Sequence, residues 1–408
     1  MTFDVAAVRA QFPSLAAGAA YFDGPGGSQT PAVVARAISD TLVSSIANRG
    51  LITRAERNAD EVTHAFRAAM ADLLGADPRG IVFGRSMTQL TFDVGRALAK
   101  TWSPGDEVVV SRLDHDANVR PWVIVAENAG ATVRWIDFDP ESTELTVEHV
   151  AEQLSERTRL VAVTGASNLI GTRPDLAAIA EKVHGVGALL YVDGVHLAAH
   201  AGVDVAALGA DFFVCSPYKF FGPHCGVLAA SPDLLETLHP DKLLPATEDV
   251  PERFELGTLP YELMAGTTAV VDFIADLAGI AGIDGGSSGG GDRRQRVLAS
   301  MDAVHEHEEG LRTRIESTLA EFDTLTLHSR ARLRTPTLLY TFADRSAQDA
   351  YRFLSDLDVN APADTFYAYE PARRLALPEG GGLRIGLAPY NDDNDIDRLL
   401  DGLAKFIG

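Results

Sequence analysis

Lysine is scarce in this chain, cysteine is scarcer, and long uninterrupted apolar runs are missing. The two cysteines, Cys215 and Cys225, are too few for a disulfide framework and form no Cys-x-x-Cys pair, so both are expected to be free thiols. Positive charge is short as well: 35 Lys and Arg stand against 57 Asp and Glu, a formal charge of -22. That balance argues against nucleic acid or an anionic membrane as partner, because both reward clustered cations. The first residues hold no basic stretch followed by an apolar core, and the apolar runs are short or broken by Asp193 and by glycines. A cytoplasmic location is the resulting expectation. The turn Gly24-Pro25-Gly26-Gly27-Ser28-Gln29 lacks the third glycine of a dinucleotide fingerprint, and no Gly-Lys-Ser/Thr loop occurs. A nucleotide-dependent oxidoreductase on a doubly wound fold loses its support, and the turn reads as part of the mouth of some other site.

What is present is a chain of 408 residues, 46% hydrophobic and 23% charged, enough for one large and one smaller domain. Between about 80 and 230, short aliphatic runs alternate with helical patterns, which predicts α/β architecture with a mainly parallel sheet and helices on both faces. Seven strands are predicted: Ile81–Phe83, Glu107–Ser111, Thr132–Asp137, Leu160–Thr164, Leu189–Asp193, Phe212–Ser216 and Gly226–Ala230. The conspicuous polar residues fall at the strand ends where such sheets bind ligands: Ser86, Thr88, His115, Asn168, Asp193, His196, Ser216 and Lys219. The Gly/Ser run 285–291 reads as a loop at a domain junction. It separates a large domain, 21–284, from a smaller α+β domain made of 1–20 and 292–408, with a strand at Thr337–Phe342 and a closing amphipathic helix at Asn394–Phe406.

Of the five lysines, Lys219 has the least usual setting, Ser216-Pro-Tyr-Lys-Phe-Phe-Gly-Pro223, directly after a predicted buried strand. A lysine there either snorkels from the strand end or is a desolvated amine, nucleophilic near neutral pH and suited to Schiff-base formation. Asp193 ends the apolar run Leu189-Leu-Tyr-Val-Asp193 on the preceding strand. It can cap the next helix, or it can face a pyridinium nitrogen, the partner that pyridoxal 5′-phosphate (PLP) requires to accept electrons. Together the two residues match that paired requirement. Gly84-Arg-Ser-Met-Thr-Gln89, between a strand and a helix, offers donors to a phosphate. Ser86, Thr88 and Ser216 are the phosphate candidates, and Met87 is counted among the cofactor contacts.

Seven ordered segments resemble the class V aminotransferase family of fold-type I PLP enzymes, in its cysteine desulfurase/selenocysteine lyase branch. They are Tyr21-Phe-Asp-Gly-Pro-Gly-Gly27, Asp114-His-Asp-Ala-Asn-Val-Arg-Pro-Trp122, Ser167-Asn-Leu-Ile-Gly-Thr172, Val192-Asp-Gly-Val-His196, the Lys219 segment, Arg253-Phe-Glu-Leu-Gly-Thr258 and Leu383-Arg-Ile-Gly-Leu387. The resemblance implies that His115 stacks on the pyridine ring, Asn168 bonds its phenolic oxygen, and His196 touches phosphate or ring in place of a glutamine. It further implies that Thr258 reaches the phosphate of a neighbouring subunit, making a homodimer with shared sites. Arg384 would fork onto the substrate carboxylate.

One departure bears on activity. Desulfurases carry a nucleophilic cysteine on a C-terminal loop, and the corresponding stretch, Ala361-Pro-Ala-Asp-Thr-Phe-Tyr-Ala-Tyr369, has none, with Tyr367 in its place. The resemblance then implies transfer through an external aldimine and a quinonoid, with Cα deprotonation by Lys219 and support from Asp193. The expected activity is a class V aminotransferase; a C–S β-elimination lyase, an epimerase and a PLP-binding protein with little catalysis are the alternatives. Tyr367 and Asn48 are the expected substrate-side residues.

Overall fold

The computed structural model describes residues 2–283 and 291–408. The expected loop thus lies outside the described residues, save for Gly291. The large sheet consists of β1 (Ile81–Gly84), β2 (Glu107–Ser111), β3 (Thr132–Ile136), β4 (Thr158–Thr164), β5 (Leu189–Asp193), β6 (Phe212–Cys215) and β7 (Gly226–Ala230). Their spatial order is β1-β7-β6-β5-β4-β2-β3. Strands β2 to β6 run parallel, and β7 is antiparallel to both neighbours. The central strands are mostly apolar because helices cover both faces, and β2 and β7 are buried along their whole length.

The antiparallel strand follows from chain length. Only Ser216–Cys225 joins β6 to β7, too few residues for a crossover helix, so the chain must turn back at the carboxyl edge of the sheet. Lys219 sits on that turn. Gly226 opens β7 where a Cβ would come within 2.3 Å of the Ser86 backbone, so the helix Met87–Ala99 starts hard against the sheet.

The apolar helix Tyr261–Ile280 has the length and hydropathy to cross a membrane. Its Met264, Val270, Val271 and Ile274 are instead buried in the core, among the helices Ala32–Val43, Arg54–Leu74 and Arg293–Leu319.

A second sheet is built from β8 (Leu325–Leu327), β9 (Thr337–Phe342), β10 (Ala363–Asp364) and β11 (Gly382–Gly386), antiparallel in the order β10-β11-β9-β8. Helices Ala347–Ser355 and Asp393–Ile407 cover it, and Leu338, Ile385, Leu399 and Leu403 form its core. The expected division puts 1–20 and 292–408 in the small domain. Segment 1–20 packs Val8, Phe12 and Leu15 into the large core, and only Ala20 joins the small one. Helix Arg293–Leu319 serves both: Val297, Met301 and Val304 face the large core, while Leu311, Ile315 and Leu319 face the small. An apolar stripe follows whichever surface is nearest, and a 27-residue helix outlasts one domain.

Candidate active site

Two adjoining cavities meet at Lys219, an outer one of about 620 Å³ and an inner recess of about 70 Å³. The Lys219 ammonium donates to the carbonyl of Gly26 at 3.0 Å and to that of Pro25. The Gly-Pro-Gly-Gly turn thus touches the lysine itself. Burial first, and then the Arg384 charge, push the Lys219 amine down to about 7, against the opposing pull of Asp193 and Asp23. Asp193 is buried at the end of β5 and lines the inner recess, where its Oδ1 accepts from the Val195 N–H at 3.0 Å. Burial raises its carboxyl to about 6, with the Val195 hydrogen bond and the Lys219 charge working the other way.

His115 lines both cavities. Its Nδ1 accepts from the Ala117 N–H at 3.0 Å, so a neutral ring carries its proton on Nε2. Burial, Lys219 and Arg384 hold it down to about 4, and neutral is its state at pH 7. The preceding Asp114, missed by the sequence reading, holds this corner in place. It accepts from Asn118 Nδ2 at 2.7 Å, from the Thr164 N–H at 3.0 Å and from the Ser111 hydroxyl, tying the loop after β2 to β4. Burial pushes its carboxyl up to about 8.

Across the cavity, Arg384 on β11 is fully enclosed. Its Nη1 donates to the Asn168 carbonyl at 3.0 Å, and its guanidinium lies 3.6 Å from the centre of the Phe366 ring. No carboxylate among the described residues forms an ion pair with it, and its buried Nε has no acceptor. Burial lowers its pKa to about 9. Asn168 Nδ2 donates to the Phe366 carbonyl at 3.0 Å, while its buried Oδ1 is likewise without a partner. Tyr367 is 77% exposed and stacks on His115 with ring centres 5.7 Å apart.

The family profile described as Aminotransferase class-V matches residues 20–399. The chain belongs to the class V aminotransferase family. An aminotransferase-like protein of Gibberella zeae is 31% identical over 429 residues, covering 100% of this chain and 99% of that one. A cysteine desulfurase of Dickeya dadantii is 30% identical, covering 98% and 95%. Among solved structures, the Escherichia coli cysteine desulfurase CsdA superposes with a TM-score of 0.85 at 26% identity, over 99% of this chain and 98% of that one. A neighbour at 19% identity, sharing the fold with a TM-score of 0.77, is described as a mutant with glycine covalently linked to its PLP cofactor.

As a class V family member the protein is a PLP-dependent enzyme, and its residues fit that cofactor. A desolvated amine, a buried carboxylate one strand away, a neutral imidazole and an unpartnered amide oxygen converge on one slot. Met87 and Thr88 line that slot at the start of their helix. Other expected residues stand elsewhere in this class V chain. Ser86 accepts from the Gln89 N–H at 3.1 Å as the helix cap and lines neither cavity. Ser216 is buried beneath the turn, also outside both linings. His196 reaches the inner recess, but its Nε2 is engaged by the hydroxyls of Thr335 at 3.0 Å and Thr337 at 2.8 Å. Thr258 lines a separate cavity of about 510 Å³ with Arg85 and Gln89. Asn48 is exposed and lines neither cavity of the single chain, and the neighbouring Arg49 anchors its loop to Asp60 and Glu252, both at 2.8 Å.

Proposed function

We propose that the enzyme transfers the amino group of an amino acid, with Lys219 as the covalent attachment point and proton carrier. The observation that carries this reading is the lysine itself: with its amine near 7, about half of it is free of a proton at neutral pH, as a nucleophile and base must be. PLP, when bound, supplies an electron-accepting ring that stabilises negative charge on the substrate carbon. The chain's own residues do the rest. With the cofactor bound, Asp193, ionised above about 6, would pair with the ring nitrogen, neutral His115 would pack against the ring, and the free amide oxygen of Asn168 would meet the ring oxygen. The Nε edge of Arg384 receives the substrate carboxylate. Thr88 and the first N–H groups of its helix, with Met87 beside them, hold the phosphate.

A homodimer with shared sites is part of the proposal. Exposed Leu42, Val43, Leu51, Ile52, Leu243 and Leu244 offer apolar surface for a second copy to cover, and Thr258 lines a cavity separate from the two at Lys219. A cytoplasmic location also remains a proposal.

β-Elimination from a cysteine-type substrate is the second reading, favoured by the desulfurase relatives. Against a persulfide-forming version, both cysteines are buried and line neither cavity, and burial raises the Cys225 thiol to about 12. The test is the absorbance of purified wild type and Lys219→Ala, followed during addition of L-alanine, L-glutamate and L-cysteine. Conversion of the cofactor to its amine form supports transamination. Pyruvate release from L-cysteine with the original spectrum restored supports elimination instead. A wild type that binds no PLP after reconstitution refutes both.

A further inference from the structure

The loop that follows β10 does something the family assignment does not explain. Phe366 and Tyr367 both adopt left-handed backbone, with φ of 55° and 57°, a conformation that costs a non-glycine residue about 1 kcal/mol or more. Two consecutive residues persist there only if their surroundings hold them. The Tyr367 carbonyl accepts from the Asp116 N–H at 2.8 Å, and the Phe366 carbonyl accepts from Asn168 Nδ2 at 3.0 Å. The consequence is a ring laid on Arg384: the guanidinium lies 3.6 Å from the Phe366 centroid.

Asn168, Phe366 and Arg384 close a circuit. Asn168 takes Arg384 Nη1 on its carbonyl and holds the Phe366 carbonyl with its amide, and Phe366 covers the guanidinium face. A planar cation fixed on its face and at one nitrogen has a single orientation left. Its remaining edge, Nε and Nη2, has no protein acceptor among the described residues, although Nε is fully buried. Gly26 completes the arrangement, since a Cβ there would come within 3.3 Å of Nη2. This is the geometry of a bidentate anion receptor.

We propose that Phe366 is a positioning residue for amino-acid recognition: its ring orients the Arg384 fork toward the substrate carboxylate. The proposal rests on the reading of Arg384 given above. Because the contact is a desolvated cation–π stack, it acts through the aromatic face and not through bulk. Leucine at this position would keep the apolar volume and the same backbone strain while losing the face; tyrosine would keep the face.

The test uses PLP-loaded enzyme, with dissociation constants read from the change in cofactor absorbance. L-Alanine and L-cysteine are each compared with their decarboxylated amines, ethylamine and cysteamine. Wild type should favour the amino acids, and Arg384→Ala should erase that preference. Phe366→Leu should weaken the amino acids by about tenfold and leave the amines alone, while Phe366→Tyr should stay within about twofold of wild type. If Arg384→Ala keeps the preference, the carboxylate role of Arg384 falls and takes the proposal with it. If Arg384→Ala behaves as expected but Phe366→Leu binds amino acids as wild type does, or more tightly, the positioning role alone is overturned; tighter binding would mean that the ring blocks the fork.

Discussion

Arg384→Met should make the protein more stable while removing amino-acid binding. The guanidinium is enclosed without a carboxylate partner, and burial lowers its pKa from 12.5 to about 9. That displacement corresponds to roughly 4–5 kcal/mol by which the folded protein disfavours the charged form. The stack on Phe366 and the hydrogen bond to Asn168 return roughly 2–4 kcal/mol. Methionine fills a similar volume without a charge to desolvate, so the variant should gain on the order of 1–2 kcal/mol at pH 7. The sign follows from a base whose folded pKa is depressed. The penalty in wild type is complete below about 9 and is relieved as pH rises above it, so the advantage of the variant should shrink by pH 10. Urea unfolding of PLP-loaded wild type and variant at pH 7 and pH 10, with no carboxylic acid present, measures both values. A variant less stable than wild type at pH 7 by about 1 kcal/mol or more would refute the reasoning, since the buried charge would then be well compensated.

Other outcomes follow from neighbouring groups. Labelling of Lys219 by an amine-selective reagent in cofactor-free protein should rise with pH through a midpoint near 7; removing the Arg384 charge should move that midpoint upward, and an unchanged or lower midpoint contradicts the electrostatic account. Breaking the buried hydrogen bond between His200 Nδ1 and Glu308, 2.9 Å long, should cost about 1–3 kcal/mol when Glu308→Leu is made alone, and less when His200→Leu accompanies it, a double-mutant cycle read by urea unfolding. Tyr367→Ala, at a residue 77% exposed beside His115, should change the ranking of amino-acid substrates and leave the cofactor spectrum intact; a bleached spectrum would place Tyr367 in the cofactor site.

Most strands of the large sheet were legible because strands buried on both faces read as nearly continuous apolar runs, the half-exposed edge strand Thr132–Ile136 being the exception, and their bounds differ from expectation by at most two residues. Lys219 and Asp193 were legible for a related reason: a charge ending such a run is costly unless it has work to do. Hydroxyls carried less information. Ser86 at a helix start looks the same whether it only caps the helix, as it does on the Gln89 N–H, or also donates to a phosphate. Phe366 was invisible as a site residue because its meaning lies in Asn168, 198 positions earlier, and in a guanidinium on another strand. Asp114 stood inside a quoted segment, yet only folding shows that it fastens one strand end to the next.

The turn carrying Lys219 is anchored at both ends in the large sheet, whereas Arg384 lies on the small one and Phe366 on the loop that follows its strand β10. A substrate seated in the lysine's cavity and gripped by the arginine would therefore act as a rivet through a seam, with part of its binding energy going into holding the two sheets in register. Cutting the substrate down to its amine removes one head of that rivet. Substrate length, measured from amine to carboxylate, is then a gauge of how far apart the two halves can sit and still react.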